Sequence, residues 1–389
     1  MVDFFVSMRT IAVRDQLAIG LYLLALGLSS LHLYRKPVYA MDAVQYLGNA
    51  LLMEDQDIVS VHRRVYAELH RRVPSDALRG LLGDEPGSPT DQNESRRERA
   101  RNPYRYGEFL PLFAIRPLYN QSIWLLNRLG VGLLPAAIFI SVASYFAIGV
   151  LLLVWMEKYA GWIWASALAF LLMISPPLTE LGREITSDAA ATVVAFAGLY
   201  LIFETRRLAA GLTLLLASIF FRTDFIVLAG PVLLFCWLNR SLDFWKAAIL
   251  AVVAVASVFT INHFAGDYGI QMLYYRNFLG VPVAPGEMTP RFTLHDYGIA
   301  FRSGVTLAAN SFLIPFLLLG VVGLTRRHVR ALFVVTLSYV FLHFIVLPNW
   351  QERWVGIFYL CCGICAGAAV ERRLTDTSLA QPDPQGGAH

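Results

Sequence analysis

The sequence predicts an all-α polytopic membrane protein, and three observations carry that prediction. Hydrophobic residues make up 57% of the 389 residues and charged residues 15%, against about 45–50% and about 25% in soluble domains. The mean hydropathy is +0.54. The apolar residues also fall into long runs, and the remaining polar residues gather in the gaps between them.

Ten runs are apolar enough to be read as spans: 16–34, 131–155, 160–175, 187–203, 208–221, 225–238, 245–262, 304–324, 330–347 and 353–370. A helix needs about 20 apolar residues to cross the hydrocarbon core. Most of the runs meet this. The two at 208–221 and 225–238 are short and read as a hairpin that returns the chain to the side it came from. The expected organisation is one transmembrane domain over 1–373, with a large helical first outside loop at 35–130, a second outside loop at 263–303 and a disordered tail at 374–389. Residues 1–40 read as an uncleaved first span, because the apolar run exceeds the usual 7–15 residues of a signal peptide. Arg35 and Lys36 also stand where a signal's neutral cleavage region belongs.

Lys and Arg counted over short loops set the orientation. With the N-terminus cytoplasmic, twelve fall inside, among them Lys158, Arg206, Arg207 and Arg326, and six fall outside. The location expected from this is the cytoplasmic (inner) membrane of a bacterium. The basic excess belongs to the inside arginines and the first loop, so no nucleic-acid partner is called for.

Within the first loop, Met41–Leu52 reads as a helix with Asp42, Gln45, Tyr46 and Asn49 on one face. Val61, Val65 and Leu69 stripe a second helix. The Gly-, Pro- and charge-rich stretch 83–101 reads as a mobile insert, and Phe109–Leu129 as a helix along the interface, carrying Arg116 and Arg128. The loop 263–303 holds Tyr274, Tyr275 and Phe278, which favour the headgroup level. The four cysteines, Cys236, Cys361, Cys362 and Cys365, lie in apolar runs and read as small packing residues. Gly363 and Gly367 form a small-xxx-small pair on the last of those runs.

Four polar clusters open on one side of the predicted membrane: Asp42 with Tyr46; Glu180, Arg183, Glu184 and Asp188; Arg222 with Asp224; and Glu352 with Arg353. Asp42 could act as a base toward a hydroxyl or help hold a divalent cation. A helix N-cap or first-turn position explains it as well. Asp188 follows Ser187 at a helix start, where capping explains it. Glu180, Arg183 and Glu184 share a helical face at i, i+3 and i+4. Arg222 and Asp224 interrupt an apolar hairpin, where ionisable groups are costly and often functional. Arg353 stands where a charge-assisted bond to a headgroup phosphate could form. An interfacial snorkelling arginine would stand there too.

Taken together these residues resemble the GT-C class of integral-membrane glycosyltransferases. The matching features are Asp42 followed by Tyr46 in the first outside loop, Ser187-Asp188 opening a later helix, the break Arg222-Thr223-Asp224, and the late outside Arg353. The chain carries one Asp at the first position rather than an Asp-x-Asp pair, which leaves a requirement for Mg or Mn open. The resemblance implies a GT-C-like fold with its active site on the outer face, and inverting transfer of a sugar from a polyprenyl-phosphate donor to an envelope glycan, lipid or protein acceptor. In that reading Asp42 is the catalytic base. Tyr46, Glu180, Arg183, Glu184, Asp188, Arg222, Asp224 and Arg353 bind substrate, and Arg353, with Arg222 or Arg183, steadies the departing phosphate. A transporter or lipid flippase, and a non-catalytic subunit of an envelope-assembly complex, are the alternatives. His343, the clearest titratable residue deep in an apolar run, reads as satisfied by a neighbour.

Overall fold

The computed structural model describes residues 12–85, 87–267, 293–324 and 326–379, with side chains as far as Glu371. α1 (Val13–Arg35) leads into a run of shorter helices: α2 (Met41–Leu52), α3 (Ile58–Arg72), α4 (Ser75–Leu82), α5 (Thr90–Arg101), α6 (Pro103–Phe109), α7 (Pro111–Ala114) and α8 (Pro117–Arg128). The bundle then continues as α9 (Leu133–Met173), α10 (Pro176–Arg183), α11 (Asp188–Phe203), α12 (Leu208–Phe221), α13 (Ile226–Leu238), α14 (Phe244–Phe264), α15 (Leu294–Ala309), α16 (Leu313–Val322), α17 (Arg327–Val346) and α18 (Gly356–Leu379). No β-strand forms among the described residues; Val38 and Glu184 make one isolated bridge.

Among the described residues, five helices are long and apolar enough to cross a membrane: α1, α9, α14, α17 and the last, Glu352–Glu371. α15 and α16, bent by 62° at a short break, make a sixth if taken as one span. α11, α12 and Thr223–Leu238 are apolar but shorter. Their outer faces agree with a lipid surround: Leu17, Leu21, Leu24 and Leu28 on α1 and Val252 and Phe259 on α14 are exposed. The protein is an integral membrane protein, and fewer helices meet the length of a full span than the ten apolar runs of the sequence.

Two of those runs, 131–155 and 160–175, fall within α9. Gly161 interrupts it at φ +69°, ψ 164°. The Tyr145 hydroxyl donates to the Met173 carbonyl at 2.7 Å, although 28 residues of straight helix would separate them by about 42 Å. α9 therefore doubles back at Gly161 as two antiparallel limbs. Gly363 of α18 lies on one limb, where an added Cβ would come 2.4 Å from Leu172, and Gly367 faces Met156 on the other. The four cysteines are free and buried.

The two ends of the bundle are chemically distinct. At one, Trp155 Nε1 donates to Glu204 at 3.2 Å, Tyr159 OH meets His328 Nε2 at 3.0 Å, and Arg326 pairs with Glu371. Arg327 reaches Asn239 there as well. At the other end lie all four polar clusters, described below. α12 and α13 form a hairpin between the ends, with Arg222 at its turn and Asn239 back at the Arg327 end.

The first loop is more ordered than its composition predicts. Residues 90–101, read as part of a mobile insert, form α5. Its charges suit the helix dipole, with Asp91 in the first turn and Arg99 and Arg101 in the last. Arg99 is buried, 4.5 Å above the Phe109 ring. Gly83, at φ +88°, ends α4 in the left-handed region, and a Cβ there would lie 2.2 Å from the Asn93 carbonyl. Val61, Val65 and Leu69 are buried as their stripe predicts. The stretch 109–129 is broken by Pro111 and Pro117 into α7 and α8, which bury Phe113, Tyr119 and Ile123. Tyr274, Tyr275 and Phe278 lie outside the described residues. α18 continues to Leu379, into the stretch expected to be a tail, and 380–389 lie outside the described residues.

Candidate active site

The site begins where the chain leaves α1. Val38 N donates to the Arg183 carbonyl at 2.9 Å, which ties the start of α2 to the link between α10 and α11. Ala40 is the N-cap of α2, so Asp42 does not cap the helix. Its carboxylate lies 3.7 Å from Arg353 Nη2. Tyr46, one turn later, is buried and meets Phe113 and Tyr119 edge-on at 5.3 and 4.8 Å.

Two arginines organise the rest. Arg353, in the turn Glu352–Val355 before α18, binds Glu184 through Nη1, and its Nε lies 3.3 Å from Asp188 and 2.9 Å from the Gln351 side-chain oxygen. Arg222, at the turn between α12 and α13, binds Asp188 through Nη1 and donates from Nε to Asp224 at 2.7 Å. Asp224 in turn meets His343 Nε2 at 2.9 Å, so the neighbour that satisfies His343 belongs to the site. The result is an unbroken chain: His343, Asp224, Arg222, Asp188, Arg353, and then Glu184 and Asp42.

Asp188 is the bridge in that chain, and the capping role expected for it is corrected. Ser187 is the N-cap of α11 and makes no capping bond. Asp188 instead accepts from Thr186 Oγ1 at 2.9 Å and from Arg222 Nη1, and pairs with Arg353 Nε at 3.3 Å. Its side chain is 7% exposed and that of Arg222 6%. Burying such charges requires this pairing.

Two cavities meet at Asp42. The outer one, about 500 Å³, is lined by Glu180, Glu184, Asn310, Ser311, Trp350 and Glu352. The inner one, about 210 Å³, is lined by Tyr46, Arg116, Asp188, Arg222, Asp224 and Trp354. Asp42, Gln351 and Arg353 line both. Of the carboxylates paired with the two arginines, Asp42 has the most access: its side chain is 28% exposed, against 14% for Glu184, 16% for Asp224 and 7% for Asp188. Glu180, on the outer cavity alone, is more exposed still.

Arg183 is not brought into this group. It lines neither cavity and donates from Nε to the Lys36 carbonyl at 3.3 Å. The shared face predicted for Glu180, Arg183 and Glu184 fails because α10 stops at Arg183; Glu184 is extended at φ −74°, ψ 134°. Burial pushes the Glu184 carboxyl up to about 7; Arg353 pulls the other way, while Asp188 and Glu180 add to the rise.

Asp42, Glu184, Asp188 and Asp224 are already held by guanidinium groups, and Glu352 accepts from Phe312 N and Tyr359 OH. Among the described residues no three His, Cys, Asp or Glu side chains are grouped to hold a metal ion. As arranged, this donor set does not fit the Mg or Mn ion left open by the sequence. Sequence reasoning missed Arg116, assigned to an interfacial helix, and Gln351, which precedes the Glu352-Arg353 pair it singled out. The signal for Arg116 is its place after Phe113 and before Pro117, at a helix break. No protein-family model, curated protein sequence or solved structure matches this chain.

Proposed function

We propose that the protein is a membrane glycosyltransferase of the GT-C type, moving a sugar from a polyprenyl-phosphate donor to a hydroxyl of an envelope glycan, lipid or protein. The observation that carries this reading is the position of Asp42, an accessible carboxylate at the junction of two cavities. Group transfer needs such a point, where two substrates meet beside a base.

In this mechanism the acceptor hydroxyl gives its proton to Asp42 as its oxygen attacks the anomeric carbon. The bond from that carbon to the phosphate oxygen breaks, and its electron pair leaves with the phosphate. Attack opposite the leaving group inverts the anomeric centre. Arg353, held by Glu184 and Asp188, keeps one guanidinium edge toward Asp42, 3.7 Å away. The outer cavity, with an indole, an amide and several carboxylates, suits a neutral polyhydroxylated acceptor. No step passes through a metal ion.

By the loop asymmetry, the site end faces the non-cytoplasmic side of a bacterial inner membrane, where nucleotide sugars are absent and a lipid-linked donor is required. The deciding experiment offers the purified protein each donor class separately. Turnover is expected with the polyprenyl-phosphate sugar, and Asp42→Asn should lower it by about 10²–10⁴-fold while leaving the protein folded. Turnover with nucleotide sugar alone, or an active Asp42→Asn, overturns the reading.

A further inference from the structure

Three cations line the inner cavity, and they are not equivalent. Arg222 and Arg353 are each bound by carboxylates on more than one edge. Arg116 has no carboxylate partner among the described residues. Its Nη1 donates to the Leu112 carbonyl at 3.3 Å, and its guanidinium lies 5.5 Å from the centres of both the Tyr46 and the Phe113 rings. Its Nε is buried with no hydrogen-bond partner. A buried N–H of a permanent cation left without an acceptor is costly, and among the described residues no carboxylate pairs with the Arg116 guanidinium where the residue lines the cavity.

The charges on the two cavities point the same way. Lining the inner one, Asp42, Asp188 and Asp224 balance Arg116, Arg222 and Arg353. Lining the outer one, Asp42, Glu180, Glu184 and Glu352 face Arg353 alone. An anion is therefore repelled from the outer cavity and admitted to the inner one. There the charges of Arg222 and Arg353 are already offset by paired carboxylates, and Arg116 is the cation of the cavity lining that has none among the described residues. Its aromatic flanks hold the guanidinium plane without neutralising it.

The geometry points to Arg116 as the anion-binding residue of the inner cavity, receiving a phosphoryl group and leaving Arg353 to position Asp42. Assigning that phosphoryl group to a lipid-linked donor rests on the function proposed above; the anion site itself does not. A polyprenyl phosphate and free phosphate share the chemistry, and both serve as probes.

The test is calorimetric titration of the full-length protein in detergent with undecaprenyl phosphate and, separately, with inorganic phosphate. Arg116→Gln is expected to weaken binding by roughly 10–150-fold, the range for a charge-assisted hydrogen bond. Arg116→Lys should fall between, keeping the charge and losing the planar fork, and Arg330→Gln at the far end should bind as wild type. Binding of inorganic phosphate alone, lost in Arg116→Gln, keeps the anion site and overturns the lipid donor. Undecaprenyl phosphate bound equally by wild type and Arg116→Gln overturns the Arg116 assignment and leaves the donor reading standing. Binding of neither probe overturns both. Should the Gln variant not fold, phenylglyoxal modification of the wild-type protein decides: bound probe should shield Arg116 while Arg330 reacts undiminished, and equal modification of Arg116 with and without probe overturns the proposal.

Discussion

Replacing Asp188 by Asn is the sharpest test of the ion-pair chain. Asn preserves the shape of the side chain, so the change is in charge and hydrogen-bond polarity. Both Asp188 oxygens accept: Oδ1 from Arg222, and Oδ2 from Thr186 Oγ1 at 2.9 Å, with Arg353 Nε at 3.3 Å. An amide nitrogen at the Oδ1 place points a donor at Arg222. At the Oδ2 place the Thr186 hydroxyl can turn to accept, but Arg353 Nε still faces a donor, so neither orientation of the amide satisfies both arginines. With 7% of the side chain exposed, water cannot make up the loss. Removing one partner of a buried pair costs about 3–5 kcal/mol. Because Arg222 keeps Asp224 and Arg353 keeps Glu184, the lower end, about 3 kcal/mol, applies. A helix cap would behave differently, since Asn caps about as well as Asp. The assay is equilibrium unfolding in mixed micelles, read by circular dichroism, for Asp188→Asn, Arg222→Met and the double variant. Coupling of about 0.5–3 kcal/mol is expected between the two sites. A variant within about 0.5 kcal/mol of wild type with no coupling would refute the bridge.

Other outcomes follow from single features. Glu184, pushed up to about 7 from 4.5, binds its proton more tightly in the folded state, so its contribution to stability is fully present below about 4.5 and is lost as pH rises through about 7. Melting temperature measured from pH 5 to 8 should fall less in Glu184→Gln than in wild type, and identical profiles would exclude Glu184 as the titrating group. Gly323→Ala would place a Cβ 1.7 Å from the Cys365 carbonyl oxygen, where α16 approaches α18; a loss of at least about 1–3 kcal/mol is expected in the same unfolding assay, and a neutral result would mean the two helices separate freely. Single cysteines at Asp91→Cys and Lys158→Cys, both exposed positions, should label from opposite sides of the membrane. Labelling from one side would break the topology.

The sequence made the shared location of the polar clusters legible because gaps between successive spans alternate between sides, and this holds whatever the helices do in detail. It could not reveal which charges pair. Asp188 and Arg222 are 34 residues apart, and nothing local to either names the other. Asp188 beside Ser187 carries a strong local signal for capping, and tertiary pairing overrode it. The face drawn through Glu180, Arg183 and Glu184 ran one residue past the end of α10: Glu184 joins the site from extended backbone, while Arg183, the last helical residue, turns to the Lys36 carbonyl. Arg116 was hidden because an arginine among apolar residues is what an interfacial helix also looks like. In 83–101, composition argued for disorder, while the order of charges along Thr90–Arg101, acidic first and basic last, argued for the helix that forms. The turn at Gly161 was legible as a gap between two runs, but not as a turn so tight that the limbs bond to each other.

The hairpin α12–α13 has a consequence for the membrane around the site. Its arms hold 14 and 13 residues, about 20 Å of helix each, against a hydrocarbon core of about 30 Å. Leu234 and Leu238 on α13 are exposed and so meet lipid directly. Helices this short are accommodated by local thinning of the bilayer or by flanking side chains reaching outward, and Arg206 and Arg207 flank the start of α12 at the far end. Thinning then falls to the leaflet beside Arg222. If the protein acts as proposed, headgroups drawn toward the turn would let a phosphate still attached to its chains meet the inner cavity at its own depth, without being lifted out of the bilayer.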